Sequence, residues 1–342
     1  MWADLYTHYI FEKNYKLCAF KAINEGIYLI YLSKNDKGIK SFITYDLVND
    51  QIINEIKDVY YCDIKHYFDK INKRDLILCS NTGNNLRVFN FKNWDYIISI
   101  ENINKIGALY SSSILYDKNK SKNYIITSCM NWSNNSSESI KAFNFKGNLI
   151  KEINDSKLAV IHIDIYFDQK LSKNFIIACS RGCVKTFDYD ENKLYKKLYE
   201  ENDNEIYDGK LYNDFAIRNN KEITEIICSN REGKIKIWNF HSGELIKIIR
   251  VKSPIIFGIC LWENKYLFVE CWNNIIKKVD LSNNDFFEIE GNKTTHNSIT
   301  IINHPKHGEV LIFGAFQDII IYMNNNGKYK IKKILNPTNI YL

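Results

Sequence analysis

Apolar runs of four to eight residues, built mainly from Ile, Tyr, Phe, Leu and Val, recur along the whole chain. Clusters of Asn, Asp, Lys, Ser and Gly separate them. Runs of that length bounded by turn residues read as β-strands. Residues 210–251 show the unit most clearly. KLYNDFAI (210–217) is an inner strand, EITEIICS (222–229) a second, NREGK (230–234) a turn containing Gly233, and KIKIWNF (234–240) a third strand. HSG (241–243) turns again and ELIKIIRV (244–251) closes the unit. Glycine at each tight turn supplies the positive φ that a hairpin needs, so the segment predicts a four-stranded meander.

The third strand of that unit returns seven times, as FITYDL (42–47), LRVFNF (86–91), IKAFNF (140–145), VKTFDY (184–189), KIKIWNF, IKKVDL (276–281) and IIIYMN (319–324). Measured at Tyr45, Phe89, Phe143, Phe187, Trp238, Val279 and Tyr322, the copies are 41 to 54 residues apart. A period of this length marks propeller blades. The fold class predicted is therefore all-β, a seven-bladed propeller of four-stranded antiparallel blades. Blades fall near 15–57, 58–100, 105–153, 157–200, 209–251, 254–290 and 297–335, all within one domain. Second strands are expected at 26–32, 74–80, 123–129, 174–180, 264–271 and 309–315. Outer strands are expected near 51–56, 94–100, 148–153, 193–199, 284–290 and 329–335. Ser111 to Asn123, Ser133 to Ser139 and Glu200 to Asp208 read as polar loop insertions. Residues 1–14 form an N-terminal segment in which Leu5 to Phe11 reads as a strand clasping the last blade, and 336–342 form a C-terminal tail.

Composition agrees. Hydrophobic residues make up 45% and aromatics 14% of 342 residues, with only three prolines, enough for a buried core and against disorder. No apolar run approaches the length of a membrane span and the start lacks a signal-peptide pattern, so the chain reads as intracellular, cytoplasmic rather than nuclear. Nine cysteines, an odd number spread over separate blades, read as reduced thiols. The net charge of +6 is carried by Lys rather than by clustered Arg, which argues against a specific nucleic-acid surface.

SNREGKIKIWNF (229–240) and CSRGCVKTFDYD (179–190) resemble the WD-repeat family, and the likeness extends over roughly 15–335. Two departures stand out: no Gly-His pair opens a blade, and Asn90, Asn144 and Asn239 replace the motif Asp. The resemblance implies a thinned structural hydrogen-bond network. It also implies a docking role for the face made by the turns between second and third strands and by the inter-blade loops. On that face Asn81, Trp132, Arg181, Arg231, Trp272 and Phe316 are the partner-binding candidates. They would suit a protein or peptide segment with acidic and apolar anchors.

Candidate chemistry is sparse. CDIKHYF (62–68), HIDIYF (162–167) and YNDFAI (212–217) place Asp63, Asp164 and Asp214 at equivalent positions of inner strands as channel-mouth carboxylates, set either to draw a cation or an Arg or Lys side chain or to bond nearby backbone. The seven histidines are scattered. His304 and His307 flank Pro305 in a hairpin and have no third ligand beside them. No nucleophile motif, phosphate loop or paired arginine is present, so no catalytic residue, metal or cofactor is expected and a membrane partner is disfavoured. The function expected is that of a non-enzymatic scaffold within a larger complex. A phosphoinositide- or membrane-associated adaptor and a propeller enzyme using channel carboxylates are the alternatives.

Overall fold

The computed structural model describes residues 17–34, 40–57, 63–81, 83–103, 108–130, 137–156, 160–180, 183–199, 212–220, 222–230, 232–272, 275–290, 296–315, 319–325 and 327–335. Among them, seven four-stranded antiparallel sheets follow one another. In each, strands adjacent in sequence pair in order. The sheets span 18–57, 63–100, 108–156, 162–198, 212–250, 256–290 and 296–335, and first strands of successive sheets neighbour one another around a central axis. The protein is a seven-bladed β-propeller. Radial repetition leaves each sheet two short edges, that of the first strand toward the channel and that of the fourth strand outward.

Register explains the repeated third-strand phrase. Its aromatic pairs with the centre of the second strand, as in Leu29↔Tyr45, Ile77↔Phe89, Ile176↔Phe187 and Ile226↔Trp238. These side chains are buried between blades. Seven apolar clusters result, one for each junction between neighbouring blades. Phe20, Phe42, Ile77 and Phe89 join blades one and two, for example, and Ile237, Ile249, Ile259 and Val279 join blades five and six. Two residues before the aromatic, Lys141, Lys185, Lys236 and Lys277 occupy one repeated position. Lys141 Nζ donates to Ile103 O at 2.7 Å and Lys277 Nζ to Val251 O, in each case a carbonyl of the strand connecting from the blade before. These ammonium groups satisfy backbone acceptors that would otherwise be buried unpaired.

The Asp or Asn after the aromatic closes its own hairpin. Asp46 Oδ1 accepts from the amides of Val48 and Asn49 at 2.9 and 3.0 Å, Asn144 Oδ1 from Lys146 and Asn148 at 2.9 and 3.0 Å, and Asn239 Oδ1 from His241 and Ser242 at 2.9 and 3.0 Å. Only an acceptor is needed, so an amide oxygen replaces a carboxylate oxygen without loss of the turn.

Strand bounds agree with the pattern to within about two residues, as in Leu245–Arg250 against ELIKIIRV. The polar insertion expected over Ser111 to Asn123 is not one. Ala108–Asp117 is the first strand of blade three and Lys122–Met130 its second. Three serines read as loop because they are polar, yet Ser111, Ser112 and Ser113 are buried and partnered across the blade boundary. Ser137 to Ser139 belong to a strand as well, Ser137–Asn144. Residues 133–136 and 200–208 lie outside the described residues, as do 1–14 and 336–342.

Blade seven takes its four described strands from one continuous stretch of sequence, Gly308–Ala315 and Ile319–Asn325 among them; the clasp strand expected over Leu5 to Phe11 lies outside the described residues. Among the described residues, blades one and seven meet by packing. Leu17, Leu29, Tyr31 and Ile43 meet Val310, Ile312 and Ile319. Lys333 Nζ reaches Tyr45 Oη at 2.6 Å and Asp50 Oδ1 at 2.9 Å. His304, at the blade-seven hairpin, donates from Nε2 to Leu47 O at 3.2 Å and accepts on Nδ1 from the Lys306 amide at 3.1 Å. Both of its ring nitrogens are therefore used in closure.

Candidate functional site

The first strands enclose a channel whose cavity measures about 840 Å³, lined by blades one to four and seven; Cys18, Lys65, His66, Tyr67, Tyr116 and Asp164 are on its wall. Asp63 and Asp214 are not on that wall. Asp63 faces Ser80 on its second strand and Asp214 faces Ser229, which are matching positions. Asp164 faces Ile177, two residues along, and His162 holds the matching position opposite Cys179. The three aspartates are thus not a ring of equivalent groups. The bulge between Tyr212 and Asp214 lies before Asp214, which pairs in unbroken register from the hairpin at Asn219.

Each carboxylate ties one blade to another. Asp63 is buried and accepts on Oδ2 from Ser111 Oγ at 2.8 Å and from the Ser112 amide at 3.2 Å, joining blades two and three. Asp164 Oδ1 accepts from Ser113 Oγ at 2.7 Å, joining blades three and four. Asp214 Oδ2 accepts from the Ile259 amide at 3.1 Å, joining blades five and six, with His162 Nε2 at 3.5 Å from its other oxygen. Lys65 Nζ donates to Ile163 O at 2.5 Å. Replacing Asp63 by alanine is expected to lower stability by about 2–3 kcal/mol, since buried donors lose their acceptor, and a denaturant titration reads it directly.

The channel's nucleophile candidates are chemically quiet. Burial pushes the Cys18 thiol up to about 12, and Cys260 likewise to about 12, with Asp214 adding to the second. A thiol so shifted supplies almost no thiolate at neutral pH. His66 Nε2 stands 2.8 Å from Asp75 Oδ1 and its ring stacks on Phe20 at 4.1 Å. Burial lowers its pKa although Asp75 pulls the other way. Cys18, Cys79, Cys179, Cys183, Cys228, Cys260 and Cys271 are free thiols, and among the described residues no three His, Cys, Asp or Glu gather as a metal set.

Of the rim candidates, Asn81 and Trp272 lie among the described residues; Trp132, Arg181, Arg231 and Phe316 lie outside them. Asn81 is spent on its own turn, where its Oδ1 accepts from the Asn85 amide at 3.0 Å. Asn230, the corresponding residue of blade five, does the same for the Glu232 and Lys234 amides, both at 3.1 Å. Trp272 is 38% exposed and stacks on Phe257 with ring centroids 5.9 Å apart. Its amide is held at 2.9 Å from Ile255 O and 3.2 Å from Ser253 Oγ, which fixes the turn that presents the indole.

Two features were not singled out from sequence. Asp69, Asp117 and Asp168 end the first strands of blades two to four, are buried, and accept the turn amides of Ile71, Lys120 and Leu171 at 3.1, 3.0 and 2.8 Å. Their signal was the recurrence of FDKINKR, YDKNKSK and FDQKLSK (68–74, 116–122, 167–173). The other is Glu270, fully buried on the second strand of blade six, with neither carboxyl oxygen hydrogen-bonded. Its strand partner is Gly258, where a Cβ would stand 3.2 Å from Glu270 Oε2 and 3.6 Å from Asp214 Oδ2. Burial first, then the Asp214 charge, holds Glu270 well above the usual carboxylate range.

No family model and no curated protein matches the chain. Solved structures do. The chain is similar to the crystal structure of the computationally designed Ika8 protein, with a TM-score of 0.61 and 12% identity over 96% of this chain and 89% of that one. At that identity the likeness shows the fold alone. Among the described residues, no helix is long and apolar enough to cross a membrane.

Proposed function

We propose that this propeller is of the WD-repeat type and serves as a non-enzymatic scaffold, docking protein partners on the face formed by its second-to-third-strand turns. The observation that carries the reading is Trp272, a large aromatic left exposed on a turn whose backbone is fixed by Ser253 and Ile255. A pre-ordered indole loses little freedom on binding, and tryptophan is among the residues that dominate interface energetics. Against the propeller-enzyme alternative, the aspartates of the channel region are dispersed and engaged in ties between blades, and the described thiols near them are held protonated.

The expected result of Trp272→Ala is loss of co-isolated partners from native cells with an unchanged melting temperature, because the side chain is exposed and the turn is held by backbone groups. Partners retained at wild-type levels would remove the rim from the account.

A further inference from the structure

The opposite face of the ring, made by the turns between first and second strands, carries an unassigned charge pattern. In blades two to four these turns share one conformation, each begun by a buried Asp and each with a left-handed residue near its end, Lys73 (φ 49°), Ser121 (φ 50°) and Ser172 (φ 54°). Their acids point inward, so what faces solvent is basic: Lys70 and Lys73 in blade two, Lys118, Lys120 and Lys122 in blade three, and Lys170 in blade four. Lys120 is paired with the buried Asp117 at 3.0 Å and Lys170 donates to Glu222 O at 3.3 Å. Lys118 lies 3.8 Å over the Phe167 ring, and Lys70, Lys73 and Lys122 make no ion pair among the described residues. Aliphatic side chains stand out at the same level: Leu171 in blade four (44% exposed), Ile71 in blade two (46%) and, on the matching turn of blade one, Ile23 (55%). The Ile23 amide donates to Asp75 Oδ2 at 2.8 Å, which locks that turn to blade two.

The exposed acids at this end stand off the turns of blades two to four, Glu25 on the blade-one turn beside Ile23. Glu25 pairs with Lys21, Glu191 with Lys173 and Lys193, and Asp50 with Lys333. Asp95 and Asp190 lie on the outer hairpins, farther from the axis, and Glu222, Glu244 and Glu263 belong to blades five and six. The densest run of lysines therefore lies on blades two to four, edged by Ile23, with Lys306 apart on the blade-seven turn and Lys265, paired with Asp280, on that of blade six.

We infer that this sector docks on an anionic lipid surface, with the lysines over the headgroups and Ile23, Ile71 and Leu171 entering the interface. Turn tips that project from one end of a rigid ring suit a flat partner, whereas a peptide would need its apolar contacts in a groove. Lysines alone would serve a nucleic acid equally well, but three exposed aliphatics among them would not. The sector lies on the face opposite Trp272, so lipid and protein partner can be held together.

The test is co-sedimentation of the full chain with phosphatidylcholine vesicles, plain or containing about a third phosphatidylserine. Binding is expected only to the anionic vesicles and should fall steeply with salt. Each lysine removed lowers the partition about five-fold, so Lys70→Gln, Lys73→Gln and Lys122→Gln together should lower it on the order of a hundred-fold. Ile71→Asp with Leu171→Asp should abolish it although every lysine remains. All are exposed, on the turns or, for Lys122, at the first residue of the strand that follows, and an unchanged melting temperature confirms that loss of binding is not loss of fold. No binding, or equal binding to neutral vesicles, overturns the inference. So does binding that survives the aliphatic double variant, and in that case competition by a poly-glutamate peptide or by duplex DNA would reassign the surface to an acidic protein or to nucleic acid.

Discussion

Gly233→Ala is expected to destabilise the propeller by about 3–5 kcal/mol, the largest effect of a methyl group added at any described glycine. Gly233 has φ of +70°, and a Cβ built there would stand 1.6 Å from the Ser253 carbonyl oxygen. The obstacle is backbone, which cannot swing aside as a side chain can. Ser253 belongs to the connection from blade five to blade six, which crosses directly over the blade-five turn, with the Val251 amide donating to Gly233 O at 3.2 Å. A methyl group must push this connection outward, and with it Ser253 Oγ, which holds the Trp272 amide. Gly327→Ala separates strain from space. That residue also has positive φ, +85°, but nothing lies within 4 Å of its Cβ position, so the loss should be only about 1–2 kcal/mol. Urea titration of the two variants measures both, and equal losses would mean that the crossing connection yields freely.

The second large effect concerns Glu270 and pH. Its folded pKa is raised well above 4.5 by burial and by Asp214, so the native state keeps a proton that the unfolded chain releases. The stability that this carboxyl permits is full below about pH 4.5 and declines as pH rises toward the folded pKa, by about 1.4 kcal/mol per pH unit. Glu270→Gln keeps shape and removes the ionisation, so its advantage over the wild type should grow as pH rises above about 4.5 toward the folded pKa. Melting temperatures of both proteins across that range give the difference, in which the other titrating groups cancel. Parallel profiles would show that Glu270 is neutralised by a partner instead of a proton.

Much of this fold could be read before any coordinate. Alternating apolar runs and turn residues mark strands because a blade wedged between two neighbours has little freedom in where its apolar residues go, and the repeated aromatic must meet the centre of the second strand. The failures have physical causes. Ser111 to Ser113 look like loop in sequence, since nothing along the chain shows that Asp63 and Asp164, from blades two and four, will satisfy them. Asp164 stands two residues along from Asp63 because both strands end alike, at Asp69 and Asp168, and the aspartates lie six and four residues before those ends. Glu270 and Gly258 exchange bulk across a strand pair, where the corresponding positions of blades two and five hold Ser80 with Asp63 and Ser229 with Asp214, and only the pairing reveals the exchange. The basic turns were legible as FDKINKR and its relatives. Their meaning was not, because the sequence does not say which residues of a turn are buried and which face water.

On the proposed reading, this ring works through its rim rather than through its channel. Recovery of partners from native cells by the tagged wild type, by Trp272→Ala and by Asp164→Asn, each shown to be folded by its melting curve, decides it. Trp272→Ala should recover none and Asp164→Asn the wild-type set. The opposite pattern, with partners lost from the channel variant and kept by the rim variant, would contradict it and move the functional site onto the inner strands.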